Sequence, residues 1–298
     1  MNLNTFIIAV FCLIDDWLQG QKLRQRGPKP KLSDAEVLTI EIVGEFLGID
    51  TDEGLYAYFG RHYAEWFPAR RQIHRTTFLR QAANLWAVKR ELRRHLFEQI
   101  DFDPSISLVD SFPVPVCRFG RAYRCRRLAE HSAFGYDEMT KQIFYGLRAH
   151  LRMCWPGVIV DADLAPADAH DLRMAGELLE GAKGWALGDR NYWSPFVMDE
   201  LKAKGLELLA PYKTKEKEKK GEKKPWPRTL MQKRRRIETV ISQLVERYRA
   251  RKVWARDRWH LCNHWLRKLL SHTFAVYFCH FCQEVDLPPL RFAQLVTD

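Results

Sequence analysis

Apolar positions recur at helical spacing through the first hundred residues and again near the end of the chain, and at strand spacing between them. The run Phe6-Ile7-Ile8-Ala9-Val10-Phe11-Cys12-Leu13-Ile14 predicts a buried helix. It is too short to cross a bilayer, runs into Asp15-Asp16, and lacks the basic start and small-residue cleavage site of a signal peptide. Ser33-Asp34-Ala35-Glu36 is a capping box opening a second helix behind Pro28-Lys29-Pro30, and Thr76-Thr77 marks a further start into residues 78–86. From about residue 101 the period changes. Residues 106–114, 142–151, 157–164, 185–189 and 207–211 read as strands. Residues 166–170 form a turn, and 171–179 and 194–204 are helices, the second with Pro195 at its first position. Three consecutive strands followed by strand–helix alternation describe an α/β sheet with an antiparallel first half.

The helix after the fifth strand carries the sharpest pattern. Ile237, Val240, Ile241, Leu244, Val245 and Tyr248 fall on one face, and Glu238 lies at the edge of that stripe behind Arg234, Arg235 and Arg236. Alone, a glutamate in this setting reads as a surface ion pair with arginine. Beyond it, residues 260–282 read as an apolar helix.

Composition adds a partner class. At 298 residues and 46% hydrophobic, the chain can build one large domain or two smaller ones with real cores. A formal net charge of +11 favours a polyanionic partner. Residues 1–100 are rich in Arg and His and suit either a small DNA-contacting module or a helical bundle with solvated charges, without a helix-turn-helix signature. Residues 213–224 alternate Lys and Glu and read as a solvated loop able to touch phosphates. Seven cysteines, an odd number without a loop-rich framework, point to a reducing cytoplasm. Cys262, His264, Cys279, His280 and Cys282 read as residues of an apolar helix rather than a zinc site, because no tight paired-Cys loop faces them. A nucleophile-elbow hydrolase is excluded by the lack of Gly-x-Ser-x-Gly.

The candidate chemistry lies in three carboxylates. Asp110 falls in the first strand, Asp189 at the end of the fourth, and Glu238 on the helix after the fifth. In such a sheet the first and fourth strands can be neighbours and a later helix can cross the same edge, which would gather the three. Clustered carboxylates repel unless a divalent cation neutralises them. Oxygen-only ligands suit Mg²⁺ or Mn²⁺, and a pair of such ions is the standard device for phosphodiester displacement.

The ordered motifs resemble a known family. Leu32-Ser33-Asp34-Ala35-Glu36-Val37-Leu38-Thr39-Ile40, Asp110-Ser111-Phe112-Pro113, Arg121-Ala122-Tyr123-Arg124-Cys125 and Tyr145-Gly146-Leu147-Arg148-Ala149-His150 come first. Ala165-Pro166-Ala167-Asp168-Ala169-His170-Asp171, Gly188-Asp189-Arg190-Asn191-Tyr192 and Arg235-Arg236-Ile237-Glu238-Thr239-Val240 complete the set. Together they resemble the DDE transposases of bacterial insertion sequences, over nearly the whole chain. The resemblance implies an RNase H-like mixed five-stranded sheet with flanking helices, preceded by an all-α domain. It implies that Asp110, Asp189 and Glu238 bind metal, with Arg234, Arg235 and Arg236 on DNA phosphates. Asn191 stands where the family usually has glycine, and Met231 and Val245 where it often has Tyr and Lys; Arg247 is then the candidate replacement cation. His170 and Asp171 are candidate accessories, the bland alternative being an Asp helix cap beside a surface His.

The expected organisation is a helical, DNA-binding domain over 1–100 and a catalytic domain over 101–255, with a lysine-rich loop at 213–228. A C-terminal extension over 256–298 is expected to pack on the catalytic domain. The expected activity is metal-dependent endonucleolytic cleavage at insertion-sequence ends and strand transfer into target DNA. The expected partners are double-stranded DNA and a second copy of the chain, without a membrane, in a nucleoid-associated cytoplasmic setting. The alternatives are an RNase H-like nuclease without strand transfer and a catalytically inactive DNA-binding derivative.

Overall fold

The computed structural model describes every residue except 24–26, 213–226, 254, 282–291 and 297–298. The lysine-rich run, Trp254 and Cys282 therefore lie outside the described residues. The rest divides into two compact units, one of residues 1–100 and 244–298 and one of residues 101–243.

The first unit opens with five helices: α1 (Leu3–Gln19), α2 (Asp34–Phe46), α3 (Asp52–His62), α4 (Arg75–Asn84) and α5 (Trp86–Phe97). The α1 stripe buries Phe6, Ile7, Val10 and Ile14. The α2 capping box forms in both directions, Ser33 Oγ accepting from Glu36 N at 3.1 Å and Glu36 Oε2 from Ser33 N at 2.7 Å. α4 begins at Arg75, ahead of the expected Thr76-Thr77 start, because the His74 ring accepts from Thr76 N and takes the capping role.

The second unit is a sheet with helices. Its strands are β1 (Asp103–Pro115), β2 (Ala133–Asp137), β3 (Gln142–Trp155) and β4 (Val158–Pro166), then β5 (Gly184–Leu187) and β6 (Leu206–Leu209). Between and after these run α6 (Asp171–Leu178), α7 (Pro195–Ala203) and α8 (Arg228–Ser242). The sheet runs β4-β3-β1-β5-β6, with β2 pairing the first part of β3 beside β4. β3 is antiparallel to β1 and to β4, whereas β5 is parallel to β1 and β6 to β5. This is the mixed sheet that the RNase H-like expectation describes, with β2 added. Strand alternation sends Val109 and Ser111 to one face and Leu108, Asp110 and Phe112 to the other. Val109 joins Ala175, Leu179, Ala186, Tyr192, Leu201 and Leu208 in a buried core. On α8, Ile237 and Val240 are buried as the stripe requires, but the α-helix ends at Ser242 and Gln243–Arg247 continue as a π-helical turn.

The last helix, α9 (Arg258–Phe281), belongs to the first unit. The extension over 256–298, expected against the catalytic domain, thus groups with residues 1–100. Charge pairing explains the grouping: Arg267 meets Glu45 at 2.7 Å and Asp52 at 2.5 Å, and Lys268 meets Glu45 at 3.0 Å, while Lys89 of α5 pairs with Glu41 of α2. Lys89, Arg267, Lys268, Glu41 and Glu45 are all buried. Lys89 and Arg93 are thus interior groups, not members of a basic outer face.

Candidate active site

Parallel pairing of β1 and β5 sets the site's geometry. Leu108 is level with Leu187, so Asp110 and Asp189 each stand two residues further along adjacent strand paths. Neighbouring strands lie about 5 Å apart, which brings the two carboxylates to matching heights. Gly188 makes the tight exit from β5 possible, since a Cβ there would come within 2.7 Å of Tyr192. Asp189 then caps a short 3-10 turn, Oδ1 accepting from Asn191 N at 2.9 Å and Oδ2 from Asn191 Nδ2 at 3.3 Å. Asn191 is not among the residues with positive φ, so no glycine is required there, and its amide holds the catalytic-candidate aspartate.

The carboxylates are crowded. Burial, and next the charge of Asp189, push the Asp110 carboxyl up to about 7, against the pull of the Ser111 amide and Arg234. Asp189 is also raised, by burial first and then by Asp171 among its neighbours. Asp171 is buried at the first position of α6, where its Oδ1 accepts from Ser111 Oγ at 2.7 Å. Ser111 Oγ in turn accepts from Arg148 Nη1 at 3.3 Å, so a chain Arg148–Ser111–Asp171 runs beside Asp110. His150, fully buried on β3, approaches Asp171 at 3.5 Å with neither ring nitrogen hydrogen-bonded among the described residues. Burial pushes its pKa down to about 4, so it faces Asp171 as a neutral ring at pH 7.

The accessory pair divides its roles opposite to the bland expectation. His170 is the exposed cap, its Nδ1 accepting from Leu172 N at 3.2 Å, and Asp171 is the residue turned inward. Arg148 and His150 were not singled out individually as site residues by the sequence, because strand alternation alone does not say which polar residue meets a helix start.

Glu238 comes to the site through a guanidinium. Arg234 reaches Asp110 Oδ2 at 3.5 Å with Nη1 and Glu238 Oε1 at 2.8 Å with Nη2, while Glu238 itself is 52% exposed. The other expected phosphate binders separate. Arg236, with Lys233, lies over the Trp155 ring at 5.3 and 4.8 Å, and Arg235 is exposed. Arg247 belongs to the first unit, where its guanidinium sits 4.0 Å from the centre of the Phe46 ring. Stacking on Phe46 gives that cation a structural occupation within the first unit.

The donor set suits a divalent cation in part. Asp110 and Asp189 are oxygen ligands of like charge whose protonation is favoured by burial and by neighbouring carboxylates, a cost that a cation would relieve. Glu238 stands one guanidinium away from Asp110 and is engaged by it. Among the described residues no group of three His, Cys, Asp or Glu side chains is already closed in metal-holding geometry.

Comparison with known proteins gives a family model described as a transposase DDE domain, matched by residues 102–254. No curated protein matches the chain significantly. A cryo-EM structure of a piggyBac transposase synaptic complex with hairpin DNA aligns at a TM-score of 0.45 and 8% identity, over 99% of this chain and 83% of that one.

Proposed function

Because the chain belongs to the transposase DDE domain family, we propose that it cleaves DNA at the ends of its element and joins the freed 3′-hydroxyl to target DNA. The observation that carries this reading is the pair Asp110, on β1, and Asp189, two residues past the end of the parallel neighbour β5, with Asp110 held protonatable near neutrality. Family members typically use divalent ions; two Mg²⁺ or Mn²⁺ held here would supply the charge that activates the attacking oxygen and steadies the leaving one. Asp110 and Asp189 are the holders, and Glu238 is the third once Arg234 lets it go. The Ser111 amide, donating to Asp110 Oδ1 at 2.8 Å, and the Asn191 amide fix the two aspartates. Asp171 acts as a positioning residue, tying α6 to β1 through Ser111 next to Asp110. Arg234, when displaced from Glu238, and exposed Arg235 meet DNA phosphates. The helical unit presents Arg61, Arg71 and Arg80 on its surface for further DNA contact. Handling two element ends together requires at least two copies of the chain.

The test uses DNA from the two flanks of the gene, which the reading expects to carry inverted repeats. The reading expects Mg²⁺-dependent nicking at the repeat ends, joined products from pre-cleaved ends, and at least a ~10³-fold loss of both in Asp110→Asn. Nicking without joining would leave an RNase H-like nuclease. Specific binding without Mg²⁺-dependent cleavage would assign a DNA-binding derivative.

A further inference from the structure

The β2–β3 hairpin and the segment before it carry a surface that the catalytic reading does not use. Tyr123 is 86% exposed, and its ring packs on Phe134 at 5.2 Å between centroids, which packs on Tyr145 at 5.0 Å. Three rings in file, open at the Tyr123 end, are an unusual exposure for a folded protein, since aromatic surface is ordinarily buried. Stability does not account for the Tyr123 end, because a ring this exposed gains little from burial.

Charge selects the occupant. Arg118, Arg121, Arg124, Arg126 and Arg127 surround Tyr123 in sequence, and all five are exposed. None of the five takes part in an ion pair among the described residues, and Glu130 is the one carboxylate between residues 117 and 131. An aromatic file ringed by free arginines matches a nucleic-acid strand: phosphates for the guanidinium groups and a base face for the outer ring. A second copy of this basic chain would have to bury those arginines against its own positive charge.

Register relates this surface to the carboxylates. Asp110 pairs with Leu151, and Phe134 pairs with Tyr145, six residues earlier on β3. Six is an even step, so Tyr145 points to the same face of the sheet as Asp110, about 20 Å along it. Resting on the DNA-end reading above, we propose that Tyr123, backed by Phe134, stacks an unpaired base of the DNA strand whose phosphate is at Asp110, with the 118–127 arginines holding its backbone. The surface is therefore specific for unpaired over duplex DNA.

Fluorescence anisotropy with the full chain in EDTA tests this apart from cleavage, which EDTA suppresses. The probes are a labelled 12-nucleotide single strand and its duplex, each with a 2-aminopurine scan. Tyr123→Ala should weaken single-strand binding about tenfold and duplex binding less than about twofold, with Tyr123→Trp restoring it. Quenching of one 2-aminopurine in the wild type should be lost in Tyr123→Ala. Arg124→Gln should lower the salt slope of single-strand binding by about 0.7. Unchanged single-strand affinity in Tyr123→Ala, equal losses on both probes, or a loss of self-association in sedimentation would overturn the proposal. Tyr123 is exposed, so its variants fold, and circular dichroism checks this. If nicking fails while the stacking signature persists, the catalytic reading falls and the surface stands; the reverse result leaves the catalytic reading and removes the surface.

Discussion

Each unit of this protein gathers three carboxylates, and the two gatherings are resolved in opposite ways. In the helical unit Glu41, Glu45 and Asp52 meet Lys89, Arg267 and Lys268, so that buried charges cancel within one network. Although burial would raise the Asp52 carboxyl, Arg267 and His264 hold it well below its ordinary value. In the sheet unit Asp110 shares the Arg234 guanidinium with Glu238, Asp171 takes the hydroxyl of Ser111, to which Arg148 donates, and Asp189 takes the amide of Asn191. There the carboxyls of Asp110 and Asp189 rise instead. A matched cluster is complete as folded and serves the fold. An unmatched one retains affinity for a cation from outside, and that surplus is what chemistry can use.

Breaking a matched pair leaves a buried charge alone. Arg267→Met should therefore cost about 3–5 kcal/mol, read as a drop in thermal or urea unfolding of the helical unit. A loss below about 1 kcal/mol would show that the network is not the brace described here.

A smaller effect, of opposite sign in the two clusters, comes from pH. Asp110 has a folded pKa near 7 against an ordinary 3.8, so the folded state holds its proton more tightly. In EDTA its contribution to stability is full below about pH 4, falls as pH rises to about 7, and is gone above that. Asp110→Asn should remove this fall and raise stability at pH 8 by roughly 1–3 kcal/mol. Asp52, with its folded pKa lowered, contributes above about pH 4 and loses that contribution as the solution is acidified. Parallel pH profiles for Asp110→Asn and Asp52→Asn would erase the contrast.

The smallest effect belongs to Arg234. Its partner Glu238 is half in solvent, so Arg234→Met should change stability by under about 1 kcal/mol, against the several expected for Arg267→Met. A loss as large as that of Arg267→Met would mean that the sheet cluster is braced too.

Local pattern carried much of this structure. Five of the strands, the α2 capping box and the burial of Ile237 and Val240 on α8 follow from period and caps, and Asp110 and Asp189 follow from their places in the first strand and just past the fourth of those five. What escaped was decided by distant partners. The grouping of α9 with α2 rests on Arg267 meeting Glu45 across 222 residues, which no window along the chain contains. β2 was missed because it is five residues long with Phe134 and Tyr136 exposed and Gly135 between them, a pattern without an apolar buried face. The inward turn of Asp171 was ambiguous for the same reason, since either His170 or Asp171 could cap α6 until Ser111 chose one.

The central claim is that the unmatched aspartates hold metal, and titration calorimetry with Mn²⁺ at pH 7.5 measures it without reference to any DNA. The account predicts binding to the wild-type chain, at least a tenfold loss in Asp110→Asn and in Asp189→Asn, and an unchanged affinity in Asp52→Asn, whose carboxylate is already matched. Undiminished Mn²⁺ affinity in the Asp110→Asn and Asp189→Asn double variant would contradict it.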